Sequence, residues 1–561
     1  RTQVMSRRTM SSRRFFVPSA IIITTIFNPL NTDGLSNSFP TIIDRAPSWT
    51  DLTTRTLSTT TGAQLSHHRH LRCNTGGGPP HIDATLRLFN EIDDDLSTAG
   101  KRHFITENDV RVTFYRDSAG WCPYCQKVWL VLEEKRIPYK VKTVPLNAYG
   151  DKPAWFTRLV DGGKLPVIEI DGMLVTESFE IIKILDKTFP DYGPKMFPAD
   201  DDDAPKNLIE RMKYLLRLEK ELQSAWFSLV FYPVEGDALQ KARNQLIDTL
   251  SRVDDALASK KTSTTEAGVD EVLLESPWFL GGSSPSFVDI QYITHMERIV
   301  ASALYWKGLS IRGGADDKHK FHHLEKWFLA FESRRSYLAT KSDYYTLVMS
   351  IPSQNGPGYF IDDAKEVSSK ICGLDGAWNL PLDYDVLSSF QKGGNNDEEE
   401  SHRHEAAFAL TQKHEAIVSF ATRGAGEPGR PSFHAELADP YAEPNESYTR
   451  SVDICLRHVT AALLDGVDIA ETVASKDLKG QAGDGTLRQG WDQYEDKDGR
   501  TYWWNDETGY VRYQSAPTQQ LDTCLEYLRD RVGVPRDMRE GAAMQLRAHL
   551  NWIIILLRFG T

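Results

Sequence analysis

The chain has 561 residues, 40% hydrophobic and 25% charged, with a formal net charge of −13. That length exceeds what one hydrophobic core holds and implies roughly two to four domains. The acidic balance supplies no electrostatic footprint for nucleic acid or an anionic membrane surface, and no run reaches the ~20 apolar residues of a spanning helix. Cys73, Cys122, Cys125, Cys372, Cys455 and Cys524 are too sparse for a secreted disulfide framework.

Residues 1–82 read apart from the rest. Arg1, Arg7, Arg8, Arg13 and Arg14 precede the mostly apolar Phe15–Phe27, Ser and Thr are abundant, and the first glutamate is Glu91. A basic, hydroxyl-rich, acid-poor start is the pattern of an organelle-targeting segment. A disordered tail without an address is the alternative, and either way the span is expected to stand outside the fold.

Val110–Tyr115 has the composition of a strand, and Arg116–Trp121 follows as a loop. Pro123–Arg136 carries helical apolar spacing at Val128, Leu130, Val131 and Leu132 and stops before Ile137-Pro138. Tyr139–Val144 is a second strand and Lys152–Val160 a short helix. Val167–Ile170 and Met173–Val175 flank the hairpin signal Asp171-Gly172, and Ser178–Phe189 closes the unit as a helix. The order βαβ-α-ββ-α predicts an α/β thioredoxin-like domain over residues 108–198.

The acidic run Asp200–Asp203 marks a linker. An all-α domain over residues 205–350 follows, with helices at Asn207–Leu229, Leu239–Leu257, Val288–Leu304 and His322–Phe331. Ser286 and Asp289 read as a capping box at the third of these. Residues 351–485 read as a helical extension, with helices at Glu405–Thr422 and Tyr448–Leu464 and loops at Gly393–Glu400, Arg423–Pro431 and Asp439–Glu446. Residues 487–517 interrupt it, and Leu521–Arg531 and Gly541–Leu557 resume it within residues 518–561.

Cys122-Pro123-Tyr124-Cys125 is the only close cysteine pair. Cys122 falls where a loop meets a helix N-terminus, whose unpaired amides and dipole favour a thiolate. Pro123 suits the first turn, because its missing N–H would go unpaired there. Cys125, one turn on, is placed to resolve a mixed disulfide. Redox chemistry is the leading reading of the pair. Zinc would need a second ligand pair, which the isolated Cys372, Cys455 and Cys524 do not offer; two structural thiols are the third reading. His402 and His404 lack nearby metal-ligating partners, so no metal is expected.

Trp121–Cys125 is of the glutaredoxin active-site type, and Val110–Pro190 resembles the N-terminal domain of cysteine-type glutathione transferases, above all the omega class and the dehydroascorbate reductases. The resemblance implies glutathione as co-substrate and Cys122 as nucleophile. Leu165-Pro166-Val167 matches the family's cis-proline turn, whose backbone pairs with the glutathione cysteine. Glu177-Ser178 matches the pair at a helix start that takes the γ-glutamyl carboxylate. Lys152 matches an omega-class lysine that contacts the tripeptide. Omega-type enzymes usually keep one active-site cysteine where this chain has two, which favours disulfide reduction over conjugation. The helical domain resembles the family's C-terminal domain, Trp278–Gly282 leading into the capping box that is a folding feature of that family; Trp226, Phe227, Phe231, Tyr232, Tyr305 and Trp306 form either an acceptor pocket or core. The span 110–350, with Gly533–Met538, is similar to transferase-like proteins of plants and algae, which favours a plastid over a mitochondrion.

Gly490-Trp491, Tyr502-Trp503-Trp504-Asn505, Tyr513 and Pro517 resemble a WW domain, a three-stranded β module that binds proline-rich polyproline-II peptides between aromatic side chains. Tyr502 and Tyr513 would carry the peptide, with Tyr513 standing where that family's second tryptophan belongs. An aromatic hairpin packed on the helices is the alternative. The expected function is a glutathione-dependent thiol–disulfide oxidoreductase acting through a Cys122 thiolate. Its rivals are conventional glutathione conjugation and a catalytically idle scaffold that recruits proline-rich partners.

Overall fold

A computed structural model describes residues 46–59, 110–198, 206–258, 276–313, 321–382, 396–427, 429, 435–478, 491–495, 501–505, 511–512 and 521–559. Its first helix, α1 (Trp49–Thr59), falls inside the span expected to stand outside the fold. Leu52 and Thr56 are buried, the Trp49 indole donates to Asp453 at 2.6 Å, and Arg55 pairs with Asp465. Residues 46–59 are therefore part of the fold. Their hydroxyl-rich composition conceals a helix held by polar anchors more than by an apolar stripe. The basic Arg1–Arg14 and Phe15–Phe27 segments lie outside the described residues.

The thioredoxin-like order is present. Strand β1 (Val112–Asp117) leads to α2 (Pro123–Lys135), β2 (Tyr139–Val144), α3 (Ala154–Leu159), the hairpin β3 (Val167–Ile170) and β4 (Met173–Thr176), and α4 (Ser178–Thr188). The four strands form one sheet in the order β2-β1-β3-β4, with β1 parallel to β2 and antiparallel to β3. Asp171 and Gly172 both have positive φ, 50° and 83°, as a tight primed turn requires. Val128, Leu130, Val131 and Leu132 are fully buried, in one core with Val112 and Phe114 of β1 and Ile168 and Ile170 of β3.

The second layer consists of α5 (Lys206–Val230), α6 (Gly236–Ala258), α7 (Phe287–Lys307) and α8 (His322–Glu332), followed by α9 (Tyr344–Ser350). Helix α7 is buried on nearly every face and starts at Ser286, whose N–H donates to Asp289 at 2.8 Å. The first core does not end at residue 350, since Ile351, Ile371 and Trp378 still belong to it.

Six helices build a second core: α10 (Asn396–Gln412), α11 (His414–Ala421), α12 (Thr449–Asp465), α13 (Val467–Leu478), α14 (Leu521–Arg529) and α15 (Glu540–Phe559). Helices from before and after residues 487–517 share this core. Two expectations are corrected. The acids Glu398–Glu400, assigned to a loop, form the exposed first turn of α10; and Glu405–Thr422 is two helices, because Lys413 leaves the helical region at φ −142°. Between the halves lie β5 (Trp491–Glu495), β6 (Thr501–Asn505) and β7 (Val511–Arg512), an antiparallel sheet in sequential order. Tyr494 pairs with Tyr502 across it; Tyr513 and Pro517 lie outside the described residues.

Candidate active site

Sheet register decides which loops can meet. Tyr115 on β1 pairs with Val167 on β3, Val167 pairs with Thr176 on β4, and Asp117 pairs with Val144 on β2. The segments just beyond these residues therefore leave from one edge of the sheet. They are the turn to Cys122, the approach to Lys152, the Leu165-Pro166 turn, whose peptide bond is cis, and Glu177-Ser178. All the residues expected to handle glutathione thus stand at the same end of the domain as the cysteines.

Cys122 is the N-cap of α2 and Pro123 takes its first position. Both sulfurs are buried, and the Cys125 backbone N–H points at Cys122 Sγ from 3.5 Å. The Cys125 thiol, donating to Cys122, holds the Cys122 thiol below its usual range, and the backbone N–H groups of Cys125 and Tyr124 act in the same direction against burial and the Asp117 charge. Cys125 is pushed well above the usual thiol range by burial, with its bond to Cys122 adding to the effect. Burial and hydrogen bonding thus shift the two thiols in opposite directions, Cys122 toward the ionised form and Cys125, one turn away, toward the protonated form.

Asp117, absent from the sequence expectations, closes the turn from below. Its Oδ2 accepts the Trp121 N–H at 2.7 Å, while Oδ1 is buried without a hydrogen-bond partner. One Asp117 oxygen and the two sulfurs lie within 4.8 Å of one another, the only grouping of metal-type donors of this kind among the described residues. The N-terminus of α2 follows directly, so the Cys122 sulfur sits between N–H dipoles that favour its ionisation and a carboxylate that opposes it.

Among the residues expected to bind glutathione, the Lys152 ammonium donates to the Gly163 carbonyl, tying the start of α3 to the loop before Leu165. Burial lowers its pKa, while its proximity to Cys125 and Cys122 works the other way. Ser178 opens α4 half-buried, and Glu177 before it is exposed at φ 64° with its side chain making no cap bond. A helix start with free N–H groups and a hydroxyl is a carboxylate receptor.

Sequence reasoning also missed a polar cluster between the two domains. Lys127 is buried on the face of Tyr124, 4.8 Å from its centroid, and burial lowers its pKa to about 8. His295 on α7 meets Glu219 on α5 at 2.7 Å, and burial takes its pKa to about 4. Lys127 alone was findable, two residues beyond Cys125; its partners come from elements that only the fold brings near. The aromatic set named for an acceptor pocket is mostly core: Trp226, Tyr305 and Trp306 are buried, Trp226 donates to Ser302 at 2.7 Å, and Phe231 and Phe360 pack on Trp306. Tyr232 is exposed. His402 packs against Gly541.

Residues 121–188 match the family described as the glutathione S-transferase N-terminal domain. Among curated proteins of Arabidopsis thaliana, the chain is 30% identical to glutathione S-transferase L3 over 32% of this chain and 63% of the relative. It is 39% identical to glutathione S-transferase DHAR2 over 15% of this chain and 37% of the relative. With the chloroplastic glutathione S-transferase DHAR3 the identity is 42% over 13% and 27%. The chain thus spans less than two thirds of each of these three relatives. Among solved structures, a dehydroascorbate reductase of Chlamydomonas reinhardtii aligns at 20% identity and a TM-score of 0.31, over 41% of this chain and 93% of that chain.

Proposed function

We propose that this chain is a glutathione-dependent thiol–disulfide oxidoreductase with Cys122 as nucleophile and Cys125 as resolving thiol. One observation carries the reading: Cys122 caps α2, with the Cys125 thiol and two backbone N–H groups converging on its sulfur. The Cys122 thiolate attacks the glutathione sulfur of a mixed disulfide; the Cys122–glutathione bond forms as the substrate sulfur leaves as a thiolate and takes a proton. A second glutathione thiolate then attacks the bound glutathione sulfur, releasing oxidised glutathione and restoring Cys122. Alternatively Cys125, having lost its proton, displaces glutathione and forms the intramolecular disulfide. Lys152, Leu165, Pro166, Glu177 and Ser178 bind the tripeptide, and the relatives named for glutathione S-transferase activity support glutathione as co-substrate.

The β5–β7 sheet belongs to an accessory WW-like module, in which Tyr502 and Tyr513 are the residues proposed to bind a proline-rich peptide. A plastid is the proposed location, in keeping with the chloroplastic relative. The test of the catalytic reading is reduction of a glutathione-capped disulfide by purified protein. Cys122→Ser should abolish it, and Cys125→Ser should retain measurable monothiol turnover. The reverse pattern would remove the assignment.

A further inference from the structure

We propose that the Gly533–Arg536 segment, between α14 and α15, is a positioning element for the nucleophile: the C-terminal extension holds the turn that presents Cys122. The consequence for turnover rests on the thiol–disulfide reading; the effect on the thiol itself does not.

Trp121, the residue before Cys122, is fully buried and held from three directions. Its N–H donates to Asp117, and its carbonyl accepts from Arg298 Nη2 on α7 at 2.7 Å. Its indole Nε1 donates to the Val534 carbonyl at 3.0 Å, a bond that spans 413 positions of sequence. The first two anchors belong to the two-domain unit that surrounds the cysteines. The third comes from the second core.

The extension is itself fixed where it makes this bond. Val534 N–H donates to Thr346 at 3.1 Å, and its carbonyl also accepts from Ser342 at 2.5 Å. The Arg536 guanidinium lies over the Trp121 ring at 5.1 Å and is oriented by Asp537 and by the Leu437 carbonyl at 3.0 Å. The approach is so close that a Cβ on Gly533 would stand 2.7 Å from the indole, and one on Gly120 would stand 3.3 Å from Pro535. Such contact leaves the Gly120–Cys122 turn little freedom, so the N–H groups of Tyr124 and Cys125 stay aligned on the Cys122 sulfur. Preorganised donors act on a charge only while their geometry is fixed. Trp121 and Arg536 touch neither sulfur; they act through the turn.

A clamp that merely glued two cores together would affect unfolding and leave the thiol alone. The discriminating readout is the pH profile of Cys122 alkylation in the reduced full chain, followed by mass spectrometry of the Cys122 peptide with iodoacetamide as the probe. Trp121→Phe keeps a ring in place and removes the Nε1 donor; Arg536→Ala removes the overlying guanidinium. In each, the Cys122 midpoint should rise by about half a pKa unit, slowing alkylation below the midpoint about threefold. The urea unfolding midpoint of Trp121→Phe should change little. Unchanged Cys122 profiles in both variants would overturn the proposal, and should Arg536→Ala fail to fold, Trp121→Phe decides alone. Failure of the catalytic reading looks different: the parent chain alkylates quickly at Cys122 yet reduces no glutathione mixed disulfide.

Discussion

Two places among the described residues bury cysteines near one another, and the Cys122 thiol in one and the Cys455 thiol in the other are driven in opposite directions. Cys455 on α12 and Cys524 on α14 sit fully buried in the second core. Burial pushes the Cys455 thiol far above its usual range, and the neighbouring Cys524 adds to this. Cys122 is almost as buried, yet its thiol is held below the usual range. The Cys125 thiol, donating to Cys122, makes most of the difference, and position on a helix adds to it. Cys455 lies mid-helix, where backbone N–H groups are already paired along the helix. Cys122 is the cap, where the first N–H groups are still unpaired and point at its sulfur. Burial alone disarms a thiol; burial at a helix start, with donors in place, arms one.

The comparison is sharpened most by removing the glutathione contact proposed for Ser178, which rests on the same helix-start logic. Ser178→Ala at the start of α4 deletes a hydroxyl donor worth about 1.5–3 kcal/mol to a carboxylate, so the glutathione KM in the thioltransferase assay should rise about tenfold or more. An unchanged KM would remove Ser178 from the site.

A smaller effect tests the charge that opposes the thiolate. Asp117→Asn can still accept the Trp121 N–H but loses the negative charge that works against Cys122 ionisation. Removing a like charge favours the ionised form, so the Cys122 alkylation midpoint should move down by about half a unit to one unit. A rise would mean that the turn, and not the charge, dominates the contribution of Asp117.

In the second core the same burial acts on a base. His549 on α15 is buried, and burial takes its pKa to about 4. An unfolded histidine titrates near about 6.5, so between these values the unfolded chain binds the extra proton. Stability therefore rises with pH across that window and declines as pH falls from about 6.5 toward about 4, by an amount on the order of 1–3 kcal/mol. Urea midpoints at pH 7 and pH 5 should show the decline, and His549→Gln should lessen it. The smallest expected effect is that of the β5–β7 sheet: replacing Leu487–Pro517 with a short flexible linker should leave thioltransferase turnover nearly intact, with some loss of stability. A large loss of turnover would make that module part of the catalytic unit.

What was legible in the sequence was local. The cysteine motif, the proline cap, the Asp171-Gly172 hairpin and the loops expected to bind glutathione all depend on residues a few positions apart, and β2 and β3 have the bounds that their patterns predict. The features that escaped depend on distant partners. Trp121 reads as part of a motif, but its hydrogen bond to Val534 and the Arg536 stacking have no local signature. The aromatic set around Trp306 looks the same in sequence whether it lines a pocket or fills a core, and Phe360, which helps fill the space, arrives from beyond the expected domain end. The first turn of α10 was missed because few apolar residues mark it, and α13 because its apolar residues divide between the core, as Ala474 and Leu478 do, and the solvent, as Ile469 and Val473 do. Asp117 reads as a loop acid until the fold buries it.

The most direct test of the central claim is to alkylate every cysteine of the reduced full chain between pH 4 and pH 9 and follow each peptide separately. Cys122 should react first, with a midpoint below that of an ordinary thiol, about 8.5, while Cys125, Cys455 and Cys524 remain protected until the chain unfolds. A Cys122 midpoint at or above the ordinary value, or earlier reaction at Cys125, would contradict the account.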